Sequence, residues 1–263
     1  MKFLILFHCQ YPFFLNNVKN EALKIDRLEE IKLMENNKRI EMIGAWCGLA
    51  YVSLFGLGWL ILARFFPPIS PAKDAAAVAA IFQEHHTTLM FACVAMMTST
   101  LLLMPLAAVS VMLLKKIEKG FGILTIMFAF TMVTSMVMNF YVPMIWSTAA
   151  FRPDRGAEII LLLSDLGFLQ FMGGIPMFIM LWIILAYASL VVSPRENPVI
   201  PRWAGYFCMW TAILYIPELL IYFFKTGPFA WDGIVGFWIP AILFIIFFVG
   251  SPFVLVPAVK KHL

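Results

Sequence analysis

The chain has 263 residues, of which 62% are hydrophobic and 13% are charged, and its formal net charge is +4. Soluble domains are roughly a quarter charged and about half apolar, so this composition excludes an ordinary soluble globular protein. The positive charges fall in short segments beside hydrophobic runs, where they indicate membrane topology and not a nucleic-acid-binding surface.

The first 33 residues differ from the rest of the chain. Their hydrophobic stretch Phe3–Phe7 is too short to cross a bilayer. Met34 is followed by the charged segment Glu35–Arg39, which is typical of a cytoplasmic lead into a membrane helix. We therefore interpret residues 1–41 as an N-terminal tail and predict that translation effectively starts at Met34. The alternative is a native tail with little fixed structure.

Six hydrophobic runs follow, and each is long enough to cross a bilayer as a helix, which takes about 20 residues. They occupy residues 42–63, 87–114, 121–146, 157–192, 203–224 and 234–259. The fourth run is too long for one crossing, and Gly173, Gly174 and Pro176 predict a break or kink within it.

A shorter segment between the first two runs predicts an amphipathic helix over residues 71–84. Ser70 would be its N-cap and Pro71 its first helical residue. Together the patterns predict an all-α, polytopic bundle of about six transmembrane helices over residues 42–259. The amphipathic helix would lie on the outer side, and residues 260–263 would form a cytoplasmic tail.

The distribution of Lys and Arg predicts the orientation. One side would hold Lys38, Arg39, Lys115, Lys116, Lys119, Arg195, Arg202, Lys260 and Lys261. The other side would hold Arg64, Lys73, Arg152, Arg155 and Lys225. Because cytoplasmic loops are enriched in basic residues, we predict a multi-pass protein of the inner membrane with both termini in the cytoplasm.

Polar side chains recur along the fifth run at helical spacing. The series is Thr211, Tyr215, Glu218, Tyr222 and Lys225, which places all five on one face of an α-helix. Within a membrane such a face should turn toward other helices and away from lipid. The simpler interpretation of the hydroxyl groups is hydrogen bonding between helices.

Other polar residues are predicted at a similar depth. Asp165 lies in the fourth run, Asn139 lies late in the third, and Arg152, Arg155, His85 and His86 lie above them. We predict an outer polar pocket in which Asp165 and Glu218 titrate protons or pair with cations. Lys225 and Arg155 would be their partners or an anion clamp, and Asn139 with the two tyrosines would form a hydrogen-bonding wall. The alternative is a set of buried ion pairs that fix helix packing.

The chain carries no nucleotide-binding or hydrolase motif, so we predict no catalytic residues and no cofactor. His85 and His86 point about 100° apart on a helix and cannot easily bind one metal ion. The cysteines occur singly without metal-ligand spacing, which predicts neither a zinc site nor a disulfide framework.

Five stretches together resemble a group of uncharacterised bacterial integral membrane proteins. They are Phe66–Pro71, Phe82–Thr88, Ala150–Arg155, Pro201–Tyr206 and Phe224–Trp231. The resemblance covers about Met42 to the C-terminus and implies no activity. Ser164 and Asp232 stand where the pattern more often has asparagine.

The leading hypothesis is that the protein binds or moves a small hydrophobic or amphipathic molecule through the outer pocket. The second is a non-catalytic membrane subunit or scaffold that packs against a membrane partner or another copy of itself. The third is a membrane enzyme or redox subunit. A ligand-binding protein should contain a cavity, whereas a scaffold should have a dry core.

Overall fold

The computed structural model describes the backbone of residues 3–263 and the side chains of residues 24, 27, 29 and 32–263. The predicted translation start at Met34 concerns residues 1–33, and most side chains of that segment lie outside the described residues. Residues 43–263 form one compact unit, and residues 1–42 form a second.

The chain is an all-α, multi-pass membrane protein, as predicted. Six helices are long and apolar enough to cross a membrane, and no strand occurs among residues 3–263. We name them the first to sixth spans: Lys32–Leu62, His86–Ile117, Ile123–Phe151, Ala157–Val192, Arg202–Tyr222 and Ile234–His262.

The third span is a single α-helix, and the other five spans change helix type along their length. The α-helical parts are Phe3–Gly56, His86–Ser99, Leu103–Ile117, Ala157–Gly173, Pro176–Tyr187, Arg202–Tyr215 and Ile239–His262. The π-helical parts are Leu57–Leu62, Ala188–Val192 and Ile234–Trp238. The 3₁₀ parts are Thr100–Leu102 and Ile216–Tyr222.

The predicted break in the fourth span is present. One helix ends at Gly173 and the next begins at Pro176, whose missing N–H leaves no hydrogen bond to continue the first. A Cβ atom at Gly174 would meet the side chain of Met138 in the third span. At the break, the absence of a side chain on Gly174 therefore leaves room for the Met138 side chain of the third span.

The third span continues beyond its predicted end at Trp146. The hydroxyls of Ser147 and Thr148 donate 2.8 and 2.7 Å hydrogen bonds to the Met144 carbonyl, so these polar residues are accommodated within the helix. It ends at Phe151, because Pro153 disfavours helical geometry at the residue before it. Trp146 is a fully buried core residue.

The outer amphipathic helix is shorter than predicted. It runs from Ala75 to Glu84, because Asp74 is its N-cap and accepts a 2.8 Å hydrogen bond from the Ala77 N–H. Ser70 instead accepts a 3.4 Å bond from Ala72 in the preceding turn.

Aromatic side chains join the outer helix, the loops and the spans. Trp146 lies 5.3 Å from Trp59 and 5.0 Å from Phe168 between ring centroids, and Phe168 stacks on Trp231. Trp231 also donates a 2.7 Å hydrogen bond to the Ile69 carbonyl. The loop after the first span is thereby tied to the loop after the fifth.

At the opposite end of the bundle, Glu118 caps the third span. Its carboxylate accepts bonds of 3.1 and 2.8 Å from the N–H groups of Leu124 and Thr125, and a 2.6 Å bond from the Thr125 hydroxyl. Partial burial favours the protonated acid, but these hydrogen bonds outweigh that effect and lower the pKa of Glu118. A Cβ atom at Gly122 would occupy the space of this carboxylate.

Candidate functional site

A cavity of about 650 Å³ lies among the first, fourth, fifth and sixth spans. That volume lies within the range typical of sites for small molecules, about 300–1,000 Å³. Its wall is formed mainly by aromatic and aliphatic side chains. The lining residues are Val52, Ser53, Phe55, Gly56, Leu57, Trp59, Leu60, Ile61, Phe66, Phe171, Met172, Ile175, Phe178, Tyr215, Glu218, Phe237, Pro240, Ala241, Phe244, Ile245 and Val249.

Among the described residues that line this cavity, Glu218 is the one acidic side chain. It is 1% exposed, and its Oε2 atom has no hydrogen-bond partner among the residues that the structure describes. A buried polar atom without a partner is unfavourable, more so when the group carries charge. Glu218 is therefore the natural anchor for a polar group that enters the cavity.

The hydroxyl groups of the wall are already engaged. The Ser53 hydroxyl donates a 2.8 Å bond to the Leu49 carbonyl within its own helix. The Tyr215 hydroxyl donates a 2.9 Å bond to the Pro240 carbonyl, which ties the fifth span to the sixth. Neither proton is available to a ligand unless these bonds break.

The cavity reaches the outer surface of the bundle between the first and sixth spans. Ile61 is 65% exposed and Ile245 is 46% exposed, and both belong to the wall. Exposed apolar side chains on membrane-spanning helices face lipid. A molecule dissolved in the bilayer therefore has a sideways route into the cavity.

The predicted polar face of the fifth span divides between Glu218 and Tyr222. Thr211, Tyr215 and Glu218 are buried, whereas Tyr222 is 54% exposed. Residues 216–222 form a 3₁₀ helix, which turns about 120° per residue where an α-helix turns about 100°. Four such steps rotate Tyr222 about 120° away from Glu218.

Tyr222 contacts the fourth span instead of the cavity. Its hydroxyl donates a 3.2 Å bond to the Leu169 carbonyl, and a Cβ atom at Gly173 would meet it. Lys225 is exposed, and its charge acts on the half-buried carboxyl group of Asp165. Neither Asp165 nor Lys225 lines the cavity. Of the predicted pocket residues, the structure thus brings Tyr215 and Glu218 together in its wall.

Asn139 lies in a different place from the one predicted. Because the third span continues to Phe151, Asn139 is near the middle of that helix. It is buried, and its Nδ2 donates a 2.8 Å bond to the Ser135 carbonyl. Asn139 and Ser135 line a second cavity, of about 250 Å³, which shares Phe178 with the first.

The remaining predicted residues lie in or beside the loops that follow the first and third spans. Arg155 donates a 3.0 Å bond to the Thr148 carbonyl, and Arg152 is exposed. His85 lies 3.4 Å from Arg64, and His86 lies 3.0 Å from the Gln83 carbonyl. These groups stabilise the outer loops, and neither cavity includes them in its wall.

Sequence reasoning missed the aromatic wall. Phe55 and Trp59 are one helical turn apart in the first span, and Phe171 packs against both, at 5.7 and 5.0 Å between ring centroids. The spacing of Phe171, Ile175 and Phe178 in the fourth span was a weak signal, because it would place all three on one face only in a continuous helix, and the helix breaks between Gly173 and Pro176. In a chain with 26 Phe and 8 Trp, however, such spacing does not separate a cavity wall from a lipid-facing surface.

The chain matches no protein-family model, no curated protein and no solved structure. Within the part of the chain that the structure describes, no group of three or more His, Cys, Asp or Glu residues is placed to hold a metal ion.

Proposed function

We propose that this membrane protein binds a small hydrophobic or amphipathic molecule in the cavity beside Glu218 and carries it between the bilayer and the outer side of the membrane. The proposal rests on the contrast between Glu218 and the apolar side chains that form the rest of the cavity wall. Glu218, a buried acid with one carboxylate oxygen that has no described partner, lines a space formed otherwise mainly by apolar and aromatic surface. Such a site suits a molecule with an apolar body and one polar group.

The cavity also favours this proposal over a scaffold. A membrane subunit whose polar groups serve only helix packing needs no large internal space, and its polar groups would bond to each other. Tyr51 and Asn139 do so, whereas Oε2 of Glu218 does not.

The proposal also includes the orientation of the protein in the membrane and the family to which it belongs. We propose an inner-membrane protein with both termini in the cytoplasm, which places the cavity mouth in the outer leaflet. We also propose that it belongs with the bacterial membrane proteins that share its loop stretches. In this chain two of those stretches are linked by the hydrogen bond from Trp231 to Ile69.

Co-purification tests the binding proposal. The full chain is purified in mild detergent, and bound small molecules are extracted and identified by mass spectrometry. Ala241 lines the cavity, so Ala241→Phe fills part of it and should abolish retention of the bound compound. Gly250→Ala is the matched control, because a Cβ atom there meets nothing within 4 Å. Equal retention by both variants would reject the cavity as the binding site.

A further inference from the structure

We infer that the ligand of this cavity is a lipophilic cation, with Glu218 as its counter-charge; this rests on the proposed binding function. The molecules concerned are hydrophobic ammonium or phosphonium compounds, whose charge is surrounded by apolar groups. Neutral lipids and anionic amphiphiles are the competing classes.

The ionisable side chains that line the cavity distinguish between cationic and anionic ligands. Glu218 is acidic, and no Lys, Arg or His side chain is among the described residues that line the cavity. An anion would therefore enter a low-dielectric space with no positive partner and beside a carboxylate, which is strongly unfavourable. A cation would instead be neutralised by the ionised carboxyl group of Glu218, which lines the cavity.

The sequence predicted an anion clamp of two cationic side chains in the pocket, and such a clamp would have favoured an anionic ligand. Lys225 and Arg155 were its expected members, but Lys225 interacts with Asp165 and Arg155 bonds to the Thr148 carbonyl. Neither belongs to the wall. Neither of these cationic groups therefore pairs with Glu218, and a cationic partner for its carboxyl group has to come from within the cavity.

The aromatic side chains of the wall suit the same class of ligand. Phe171 lies nearly parallel to Phe55 and Trp59, with interplanar angles of 14° and 28°. Cations are attracted to the faces of aromatic rings within about 6 Å of the ring centroid, and Trp is the strongest of these partners. The rings also provide a surface for the apolar groups that surround the charge.

The route into the cavity agrees with a hydrophobic cation. Leu60, Ile61 and Ile245 form an apolar rim on the surface that faces lipid. A small hydrated cation would have to lose its water shell to pass this rim. A cation carried on a large apolar body partitions into the bilayer and reaches the rim from there.

Three probes of similar shape and different charge test the inference. They are tetraphenylphosphonium, neutral triphenylphosphine oxide and anionic tetraphenylborate. Each is measured separately by equilibrium binding to the full chain in phosphatidylcholine nanodiscs, with empty nanodiscs as the blank. We expect saturable binding of tetraphenylphosphonium at one site per chain and no saturable binding of tetraphenylborate.

Two substitutions and one control locate the site. Glu218→Gln removes one partner of the buried charge pair and should weaken tetraphenylphosphonium binding by about thirtyfold or more. Ala241→Phe should abolish it. Glu158→Gln changes an exposed glutamate at the start of the fourth span and should leave binding unchanged.

The outcomes separate the two proposals. Binding of the neutral probe that equals or exceeds that of the cation, with no effect of Glu218→Gln, would overturn the cation class and leave the cavity as a binding site. Saturable binding of tetraphenylborate would also overturn the cation class. Failure of all three probes to bind wild-type protein would overturn both the class and the proposed function.

Discussion

The hydroxyl of Tyr51 in the first span donates a 2.7 Å hydrogen bond to Oδ1 of Asn139 in the third. Both side chains are buried, and Asn139 donates in turn to the Ser135 carbonyl of its own helix. The bond fixes the depth at which the two spans meet. Phe248 of the sixth span packs on the Tyr51 ring at 4.8 Å, so three spans converge at this point.

Tyr51→Phe should destabilise the bundle, because it leaves the Asn139 Oδ1 atom buried without its partner. Hydrogen bonds between membrane helices contribute about 0.6 kcal/mol on average and up to about 1.7 kcal/mol. We expect the free energy of unfolding to fall by an amount toward the upper end of that range, as measured by thermal unfolding in detergent. Tyr141→Phe removes a hydroxyl from a half-exposed tyrosine of the third span and should have no effect. Equal stability of the two variants would show that the Tyr51 bond contributes nothing.

The sequence predicted the six spans because each is a long apolar run with charged ends, and such runs have few alternatives in a membrane. It also predicted that Glu218 and Tyr215 face the interior, since both lie on the α-helical face before or just after Pro217. It failed for Tyr222, because the change to 3₁₀ geometry depends on tertiary packing and not on residue spacing. It failed for the aromatic wall for a related reason. Phe side chains that face lipid and those that face a cavity have the same composition, and only the assembled helices distinguish them.

Gly167→Ala should destabilise the protein, because the Trp146 indole fills the space that the new methyl group requires. Trp146 is fully buried and is held by neighbouring rings, so it cannot move aside easily. Overpacking of this kind costs about 1–3 kcal/mol. Gly250→Ala adds the same methyl group in open space within the sixth span and should be neutral or slightly stabilising. Thermal unfolding of the two variants side by side checks the prediction. A tolerated Gly167→Ala would mean that the contact between the third and fourth spans is loose.

Glu118→Gln should destabilise the protein at neutral pH and have little effect in acid. The pKa of Glu118 is lowered in the folded state because the carboxylate accepts three hydrogen bonds that outweigh the effect of its partial burial. A lowered pKa means that the stabilisation is fully present above the ordinary value of 4.5 and is lost as the pH falls through the folded-state value.

The measurement is the difference in unfolding temperature between wild type and Glu118→Gln across the range from neutral pH to acid. Because Glu118 is half-buried, we expect the substitution to lower the free energy of unfolding by about 1 kcal/mol at neutral pH. This difference should shrink in acid. Glu196→Gln changes an exposed glutamate in another loop and is the control. A difference that stays constant with pH would show that the charge of Glu118 does not stabilise the third span.

Cysteine labelling should place Lys116 in the cytoplasm and Asp154 outside. Both residues are exposed, and they flank opposite ends of the third span, a 29-residue helix about 44 Å long that must cross the bilayer. The Lys116 side also holds the larger number of basic residues, which is the side retained in the cytoplasm.

Lys116→Cys and Asp154→Cys are introduced separately after the four native cysteines are replaced by serine, and intact cells are treated with an impermeant maleimide. Only the cysteine at position 154 should react in intact cells, and both should react after the membrane is permeabilised. Reaction at position 116 alone would invert the orientation. The mouth of the Glu218 cavity would then open in the cytoplasmic leaflet, and carriage of the ligand would begin from that side.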